Sequence, residues 1–212
     1  MTVIGLGRFG RSLAEELESR GTEVLGIDSD AALVQQVSVT LTHTVVADTT
    51  DPEVLTQLGV PDFRRAVVGI GTDLEASILT TSILSDFGIP HIWAKATSRQ
   101  HGHILERVGA HHVVLPEHDM GERVAHLVTG QMLDFVPFEE DFAMVKTTAP
   151  AAMMGKTLLA SDSRRRFGVT VVAIKPADGQ FTHASVDTVV GDGDVLIVAG
   201  RTTSVEAFSD LR

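Results

Sequence analysis

Over the first 116 residues, short apolar runs alternate with longer stretches whose apolar residues recur at helical spacing. Six of the runs have the length and the branched apolar content of strands. They lie at residues 2–5, 23–27, 43–47, 66–70, 91–95 and 111–115. Residues 9–20 and 75–87 have helical patterns, and the first places Leu13 and Leu17 on one face. Strands that alternate with helices predict an α/β fold with a doubly wound parallel sheet.

The pattern changes after the sixth predicted strand. Pro116 and a predicted helix at residues 117–132 follow that strand. From Phe135 onward, the apolar runs are separated by turn-forming pairs, and short helices are predicted at residues 158–166 and 204–211. The turn-forming pairs are Asp178-Gly179, Gly191-Asp192 and Gly193-Asp194.

These patterns predict two domains, residues 1–134 and residues 135–212, of which the second is a smaller α+β unit. The 212-residue chain carries 17 basic and 28 acidic side chains, a net charge of −11. The first domain holds nine of the basic and 18 of the acidic side chains, a net charge of −9. Because an acidic surface repels polyanions, we expect no nucleic-acid partner and no insertion into lipid.

Two absences narrow the class of protein. The sequence has no cysteine, which excludes disulfide scaffolds and thiol catalysis and fits a reducing cytoplasm. No apolar run approaches the roughly 18 residues that span a bilayer, and no signal-peptide pattern opens the chain. We therefore expect a soluble protein that, if it serves a membrane, does so from outside the lipid.

The strongest motif is a glycine-rich loop between the first predicted strand and a helix. It is Gly5-Leu6-Gly7-Arg8-Phe9-Gly10. In the fingerprint of Rossmann-like folds, the first glycine permits a tight turn, the second lets phosphate approach the backbone, and the third lets the helix pack on the strand. The phosphates then lie at the positive end of the helix dipole. The sequence therefore predicts a nucleotide at this loop.

An acidic residue, Asp28, ends the second predicted strand, 18 residues after Gly10. A carboxylate at this place accepts hydrogen bonds from ribose hydroxyls and repels a 2′-phosphate. The expected ligand is therefore an adenosine nucleotide or NAD(H) and not NADP(H). The alternative is that Asp28 caps the next helix, although Asp30 is better placed to do so.

More candidate site residues follow the later strands. They are Asp48, Thr49, Gly71, Thr72, Asp73, Lys95 and Glu117. Ligands of open α/β sheets bind along the carboxyl edge of the strands, so we assign these residues to the same site. Taken singly, Asp48, Thr49 and Asp73 also suit turns or helix caps, and Glu117 suits a helix N-terminus.

Arg8 is unusual within a phosphate-binding turn. Its guanidinium adds a positive charge and a two-pronged donor where a pyrophosphate, or a phosphate beyond it, would lie. It favours a ligand with extra phosphate charge, such as ATP, or a phosphate held by a neighbouring subunit. The alternative is a solvated arginine in the first helical turn.

Four segments together are characteristic of one family. They are Val3-Ile4-Gly5-Leu6-Gly7-Arg8-Phe9-Gly10, Ala76-Ser77 with Thr80-Thr81, Ile92-Trp93-Ala94-Lys95-Ala96 and Pro116-Glu117-His118-Asp119-Met120-Gly121. The chain resembles, over its whole length, the regulatory RCK (KTN, or TrkA-N plus TrkA-C) subunits of bacterial potassium uptake systems, in particular the Ktr type. The resemblance implies a regulator, not an enzyme, that binds ATP or ADP in its first domain. It also implies dimers that form an octameric ring, docked on the cytoplasmic face of an integral membrane potassium-conducting subunit.

The resemblance also implies roles for individual residues. Arg8 matches an arginine that reaches a nucleotide phosphate across the dimer interface, Asp28 matches the ribose acid, and Lys95 matches a lysine near the same pocket. Glu117 matches a glutamate that helps to hold a divalent cation near the γ-phosphate, and carboxylate and phosphate oxygens suit Mg²⁺ or Ca²⁺.

In some relatives the TrkA-C module receives cyclic di-AMP between two chains. Arg164 falls where an arginine would meet its phosphate. The neighbouring Arg165 and Arg166 make an exposed basic helix the alternative.

Three other function classes fit the sequence less well. An NAD-dependent dehydrogenase needs a proton donor and a carbonyl-polarising group, for which the short second domain leaves little room. Six of the nine histidines lie between His101 and His126, but their spacing matches no structural zinc pattern, so we expect surface histidines. A redox-sensing transcription factor would need a basic DNA-binding helix, which the sequence lacks.

Overall fold

The computed structural model describes residues 1–129, 131–139 and 141–211 of the chain. They form two compact units, Met1–His118 and Asp119–Arg212. In the first unit the strands are β1 (Thr2–Ile4), β2 (Leu25–Asp28), β3 (His43–Val46), β4 (Arg65–Val68), β5 (His91–Lys95) and β6 (His112–Val114). The helices are α1 (Arg8–Ser19), α2 (Ala31–Val37), α3 (Pro52–Gln57), α4 (Leu74–Asp86) and α5 (Arg99–Arg107).

The six strands of the first unit form one parallel sheet in the order β3-β2-β1-β4-β5-β6. This is the doubly wound, Rossmann-like order, with the reversal of strand order between β1 and β4. The predicted α/β fold is thereby confirmed, and each of the six predicted strands overlaps an observed one.

Successive residues of the central strands are buried on opposite faces of the sheet. Val3 and Val67 pack with apolar residues of α1 and α2, whereas Ile4 and Val68 pack with residues of α3, α4 and α5. Both faces of a parallel sheet are normally covered by crossover helices, which explains why its strands read as continuous apolar runs.

Aspartate and serine residues cap the N-termini of four of these helices. Asp30, Asp51, Asp73 and Ser98 each accept a hydrogen bond from a backbone N–H in the first turn of α2, α3, α4 and α5. The cap at Asp30 agrees with the expectation that Asp30, and not Asp28, begins the second helix.

Helix α6 (Pro116–Thr129) runs across the division between the two units. It is shorter than the helix predicted at residues 117–132, because Met132 begins the next strand. The proposed domain boundary after Asp134 falls within that strand, whose residues pair with the sheet of the second unit.

The second unit contains an antiparallel sheet, in agreement with the predicted smaller α+β part. Its strands are β7 (Met132–Glu139), β8 (Phe142–Thr148), β9 (Val169–Lys175), β10 (Thr182–His183) and β11 (Val195–Gly200), in the order β10-β9-β11-β8-β7. Its further helices are α7 (Leu158–Ser161), α8 (Ser163–Phe167) and α9 (Thr202–Ser209). Phe135, Val145, Leu196 and Phe208 lie in its core.

The single helix predicted at residues 158–166 is wrong in one respect. Asp162 has φ 48°, in the left-handed region, and divides the segment into α7 and α8. A left-handed residue cannot continue a right-handed α-helix, so the chain turns at this point. Within the described residues, no helix is both long enough and apolar enough to cross a membrane.

Candidate functional site

A cleft of about 500 Å³ lies at the carboxyl ends of the strands of the first unit. Twelve of the predicted site residues line it: Gly5, Gly7, Arg8, Phe9, Asp28, Asp48, Thr49, Gly71, Thr72, Asp73, Lys95 and Glu117. They lie at or just after the carboxyl ends of β1 to β6, so the parallel strands bring them to one edge of the sheet, and their role in binding stays a prediction.

The three glycines of the loop differ in their surroundings. Gly5 has φ +88°, and a Cβ on it would lie 2.8 Å from the backbone nitrogen of Ile70. A Cβ on Gly10 would overlap the carbonyl oxygen of Gly5, so this residue lets α1 approach β1 but does not line the cleft. A Cβ on Gly7 would meet no atom within 4 Å. Gly7 therefore keeps open the space in front of the first turn of α1.

Asp28 is bound to the glycine loop. Its Oδ2 accepts a hydrogen bond from the backbone N–H of Leu6 at 2.6 Å, and its Oδ1 accepts one from the backbone N–H of Asp30 at 2.8 Å. The carboxylate therefore fixes the loop after β1 relative to the end of β2, and its remaining acceptor capacity lies at the cleft.

Hydroxyl groups hold the segment after β3 in place. Oδ1 of Asp48 accepts hydrogen bonds from the backbone N–H and the hydroxyl of Thr50, at 2.9 and 2.7 Å, and these bonds lower the pKa of Asp48. The buried hydroxyls of Thr49 and Thr80 lie 3.0 Å apart. Thr49 is thus anchored to α4, and Asp48 stays ionised at the exposed rim of the cleft.

Three charged side chains, Arg8, Lys95 and Glu117, line the cleft, and two of them form an ion pair. Nζ of Lys95 donates a hydrogen bond to Oε1 of Glu117 at 2.7 Å. This bond is the main reason why the pKa of Glu117 is lowered, and the positive charge of Arg8 lowers it further. Lys95 also lies 5.8 Å from the centre of the Phe9 ring. Two cations, Arg8 and Lys95, and the carboxylate of Glu117 therefore line the same cleft as Gly7.

The sequence did not indicate several residues that line the cleft. Ser29, Thr50 and Thr97 each lie within a few residues after a strand, as most of the predicted site residues do. Their position after a strand is the sequence feature from which they could have been predicted. The apolar lining, which includes Leu33, Ile70 and Ala76, has no such signal because apolar residues are common in every helix and strand.

Arg164 lies in the second unit, on the five-residue helix α8. Its Nε donates a hydrogen bond to the hydroxyl of Thr170 at 3.2 Å. Arg165 pairs with Asp162 at 2.8 Å, and the guanidinium of Arg166 lies 4.8 Å from the centre of the Phe167 ring. All three arginines are exposed, as the alternative of an exposed basic helix predicts, and each has a different contact.

The histidines do not assemble into a metal site in the part of the chain that the structure describes, where no group of three or more metal-binding side chains occurs. The expectation that the histidines lie on the surface is wrong for His101, which is 3% exposed. Its Nδ1 lies 3.3 Å from the backbone nitrogen of Thr97, which donates to it, and burial lowers its pKa.

The parallel sheet, the glycine loop and the cleft at the strand ends define the first unit as a Rossmann-like domain of the nucleotide-binding type. Comparison with known families assigns both units: residues 1–116 match the TrkA-N domain and residues 142–212 match the TrkA-C domain. The chain belongs to the family of proteins that combine these two domains, as the resemblance predicted.

The similarity to individual proteins extends over nearly the whole chain. Ktr system potassium uptake protein C of Bacillus subtilis (strain 168) is 38% identical over 207 residues, which cover 97% of this chain and 94% of that protein. Ktr system potassium uptake protein A of the same organism is 32% identical over 209 residues, covering 98% and 94%. Among solved structures, the GsuK channel bound to NAD superposes with a TM-score of 0.68 at 19% identity, covering 98% of this chain and 38% of that one.

Proposed function

We propose that this chain is a nucleotide-sensing regulatory subunit of a potassium uptake system. Its near full-length similarity to Ktr system potassium uptake proteins supports the role in potassium transport. The observation that carries the sensing role is the cleft, where the glycine loop and the cations of Arg8 and Lys95 face the same space. The chain acts as a ligand-controlled regulator and not as an enzyme.

The cleft offers a group for each part of an adenine nucleotide from its ribose to its terminal phosphate. Asp28 would accept a hydrogen bond from the ribose and exclude a 2′-phosphate. The backbone N–H groups at the start of α1 would bind the phosphates over Gly7, where no side chain intervenes. Arg8 and Lys95 would neutralise the outer phosphates. ATP and ADP are therefore the proposed ligands, and NAD(H) is the alternative.

Glu117 is the residue that would hold a divalent cation. Its side chain is exposed and ionised, and it lines the phosphate end of the cleft. One carboxylate together with phosphate oxygens and water suits the octahedral shell of Mg²⁺, or the looser shell of Ca²⁺. The cation would therefore bind with the nucleotide, since one carboxylate alone does not make a site.

Exposed apolar side chains support self-association. Met120, Val124 and Val128 recur every four residues on α6 and are all exposed, and Leu79 and Ile104 are exposed on α4 and α5. Such rows on helices are typical of surfaces that are covered in an oligomer. A homodimer that assembles into an octameric ring, docked on the cytoplasmic face of a membrane potassium-conducting subunit, is the arrangement we propose.

The second unit could bind a second ligand. Arg164 and Thr170 form a polar pair on its surface, with a guanidinium that could meet a phosphate. Cyclic di-AMP, bound between two copies of this unit, is the candidate. Calorimetry with cyclic di-AMP on wild type and on Arg164→Ala tests it, with Arg165→Ala as the matched control. Unchanged affinity in Arg164→Ala would contradict the assignment.

Isothermal titration calorimetry with ATP, ADP and NAD⁺ tests the nucleotide. We expect the tightest binding for ATP or ADP, and binding of NAD(H) that is as tight or tighter would contradict the proposal. Arg8→Ala should weaken ATP more than ADP. Arg11→Ala is the matched control, because Arg11 lies on the same helix, pairs with Glu15 and does not line the cleft.

Equal losses of ATP and ADP affinity in Arg8→Ala would contradict a γ-phosphate role for this residue.

Sedimentation velocity of wild type and Val124→Glu tests self-association. The variant should sediment as a smaller species than wild type, and a variant that sediments like wild type would contradict the role of the row of Met120, Val124 and Val128 on α6. Potassium flux in vesicles that contain the membrane subunit and this chain tests regulation. ATP and ADP should produce different fluxes, and equal fluxes would contradict nucleotide control.

A further inference from the structure

Lys95 is placed so that it needs an anionic partner. Only 12% of its side chain is exposed, and its ammonium group lies near the ring of Phe9. A buried ammonium group is costly unless a hydrogen-bonding anion lies next to it. In the structure that anion is Glu117, at 2.7 Å.

Gly71 leaves space for the ammonium group of Lys95. A Cβ on Gly71 would lie 3.2 Å from Nζ of Lys95 and 3.6 Å from its Cε. Gly71 does not have a positive φ, so its backbone conformation does not require glycine. The space beside Lys95 is therefore a specific reason for a small residue at position 71.

Lys95 and Glu117 both line the cleft, so a bound nucleotide changes the partners of both. A phosphate oxygen is a stronger acceptor for Lys95 than a carboxylate that is 66% exposed, and it can replace that carboxylate. Glu117 lies in the first turn of α6, the helix that carries the chain from the first compact unit into the second. A change in the hydrogen-bond partner of Glu117 therefore changes the contacts of the first turn of that helix.

We propose that Lys95 is an exchangeable counter-ion of Glu117, which moves to a phosphate when nucleotide binds and so makes Glu117 available to the cation. This inference rests on the proposed nucleotide site and adds its regulation. Lys95 and the divalent cation compete for Glu117, so binding of the cation is linked to binding of the phosphate. Lys95 thereby determines how strongly nucleotide affinity depends on Mg²⁺.

Replacement of Lys95 and replacement of Glu117 should change ATP affinity in opposite directions when it is measured in EDTA, and should also change the gain in affinity from Mg²⁺ in opposite directions. Lys95→Met removes a phosphate contact, so ATP affinity in EDTA should fall about tenfold. It also removes a positive charge that lies next to the bound cation in wild type, so the gain in affinity from Mg²⁺ should exceed that of wild type by about threefold or more. Glu117→Gln should abolish the gain from Mg²⁺ and should raise ATP affinity in EDTA, because Lys95 then has no competing carboxylate.

Controls separate this exchange from a structural role. Lys156→Met removes an exposed lysine of the second unit and should leave both affinities unchanged. Gly71→Ala should shift the ammonium group by a few tenths of an ångström and change the affinities in the direction of Lys95→Met, but by less, which provides a second variant if Lys95→Met does not fold. Equal losses in EDTA and Mg²⁺ for Lys95→Met, or for Gly71→Ala in its place, would overturn the exchange. Failure of wild type to bind any nucleotide would overturn the proposed function itself.

Discussion

The carboxylate of Asp28 accepts a hydrogen bond of 2.6 Å from the backbone N–H of Leu6, in the middle of the glycine-rich loop. The residue that the sequence assigns to ribose binding thus also fixes the loop that is assigned to phosphate binding. Two parts of one ligand would be recognised by segments that a hydrogen bond within the protein joins. Such preorganisation lowers the entropy cost of binding.

Replacement of Asp28 should therefore affect stability as well as binding. Asp28→Ala leaves the N–H groups of Leu6 and Asp30 without their acceptor, so the free energy of unfolding should fall by about 1–3 kcal/mol. Asp28→Asn retains one acceptor oxygen and should lose less. Urea denaturation measures both, and equal stability of Asp28→Ala and wild type would contradict this role.

The second and third glycines of the loop should differ sharply in their tolerance of alanine. Gly10→Ala forces a methyl group onto the carbonyl oxygen of Gly5 and should cost about 3 kcal/mol of stability. Gly7→Ala has open space around the methyl group and should cost no more than about 1 kcal/mol, as a poorer helix cap. It should nevertheless abolish most nucleotide binding in calorimetry. A Gly7→Ala protein that is stable and binds ATP normally would show that phosphate does not lie over this residue.

His101 should make stability depend on pH. Burial lowers its pKa, so the folded protein keeps the ring neutral while the unfolded chain binds a proton more readily. The free energy of unfolding should therefore decrease as the pH falls through the ordinary histidine pKa of about 6.5. Thermal melts of His101→Asn between pH 8 and pH 5.5 should show a smaller decrease than those of wild type.

The matched control for this pH effect is His103→Asn. His103 lies on the same helix, with 76% of its side chain exposed. Its replacement should leave the pH dependence of the melting temperature as in wild type. The assignment to His101 would be rejected if the two variants lost the same part of that dependence.

Asp194 should be important for the stability of the second unit. It is 6% exposed, and its two oxygens accept hydrogen bonds from the backbone N–H groups of Gly191 and Ala177 at 2.7 and 3.2 Å. Asp194→Ala should lower the free energy of unfolding by about 1–3 kcal/mol. Asp192→Ala removes the same charge from an exposed neighbour and should have little effect in the same urea titration. Similar losses in the two variants would mean that charge, and not these hydrogen bonds, matters.

Much of the fold follows from local patterns in the sequence. Apolar runs and helical spacing predicted the six parallel strands, and capping chemistry correctly favoured Asp30 as the start of α2. The glycine residues of the loop predicted the tight turn after β1, because only a residue without a side chain readily adopts the φ of +88° found at Gly5. These features depend on residues that are close together in the chain, so a sequence pattern can reveal them.

Other features were decided only when distant segments came together. The division at Asp162 and the early end of α6 reflect a left-handed residue and strand pairing, which the local helical pattern does not reveal. His101 is buried, although its sequence surroundings are polar.

The sequence by itself determined the class of fold, the family and most of the residues that line the cleft. It could do so because parallel strands necessarily present their carboxyl ends at one edge of the sheet. Only the tertiary structure decided which groups these residues bind: Asp28 the backbone N–H of Leu6, Thr49 the hydroxyl of Thr80, and Lys95 the carboxylate of Glu117. Those pairs join segments 22 to 31 residues apart, and their distances depend on the packing of whole helices and strands.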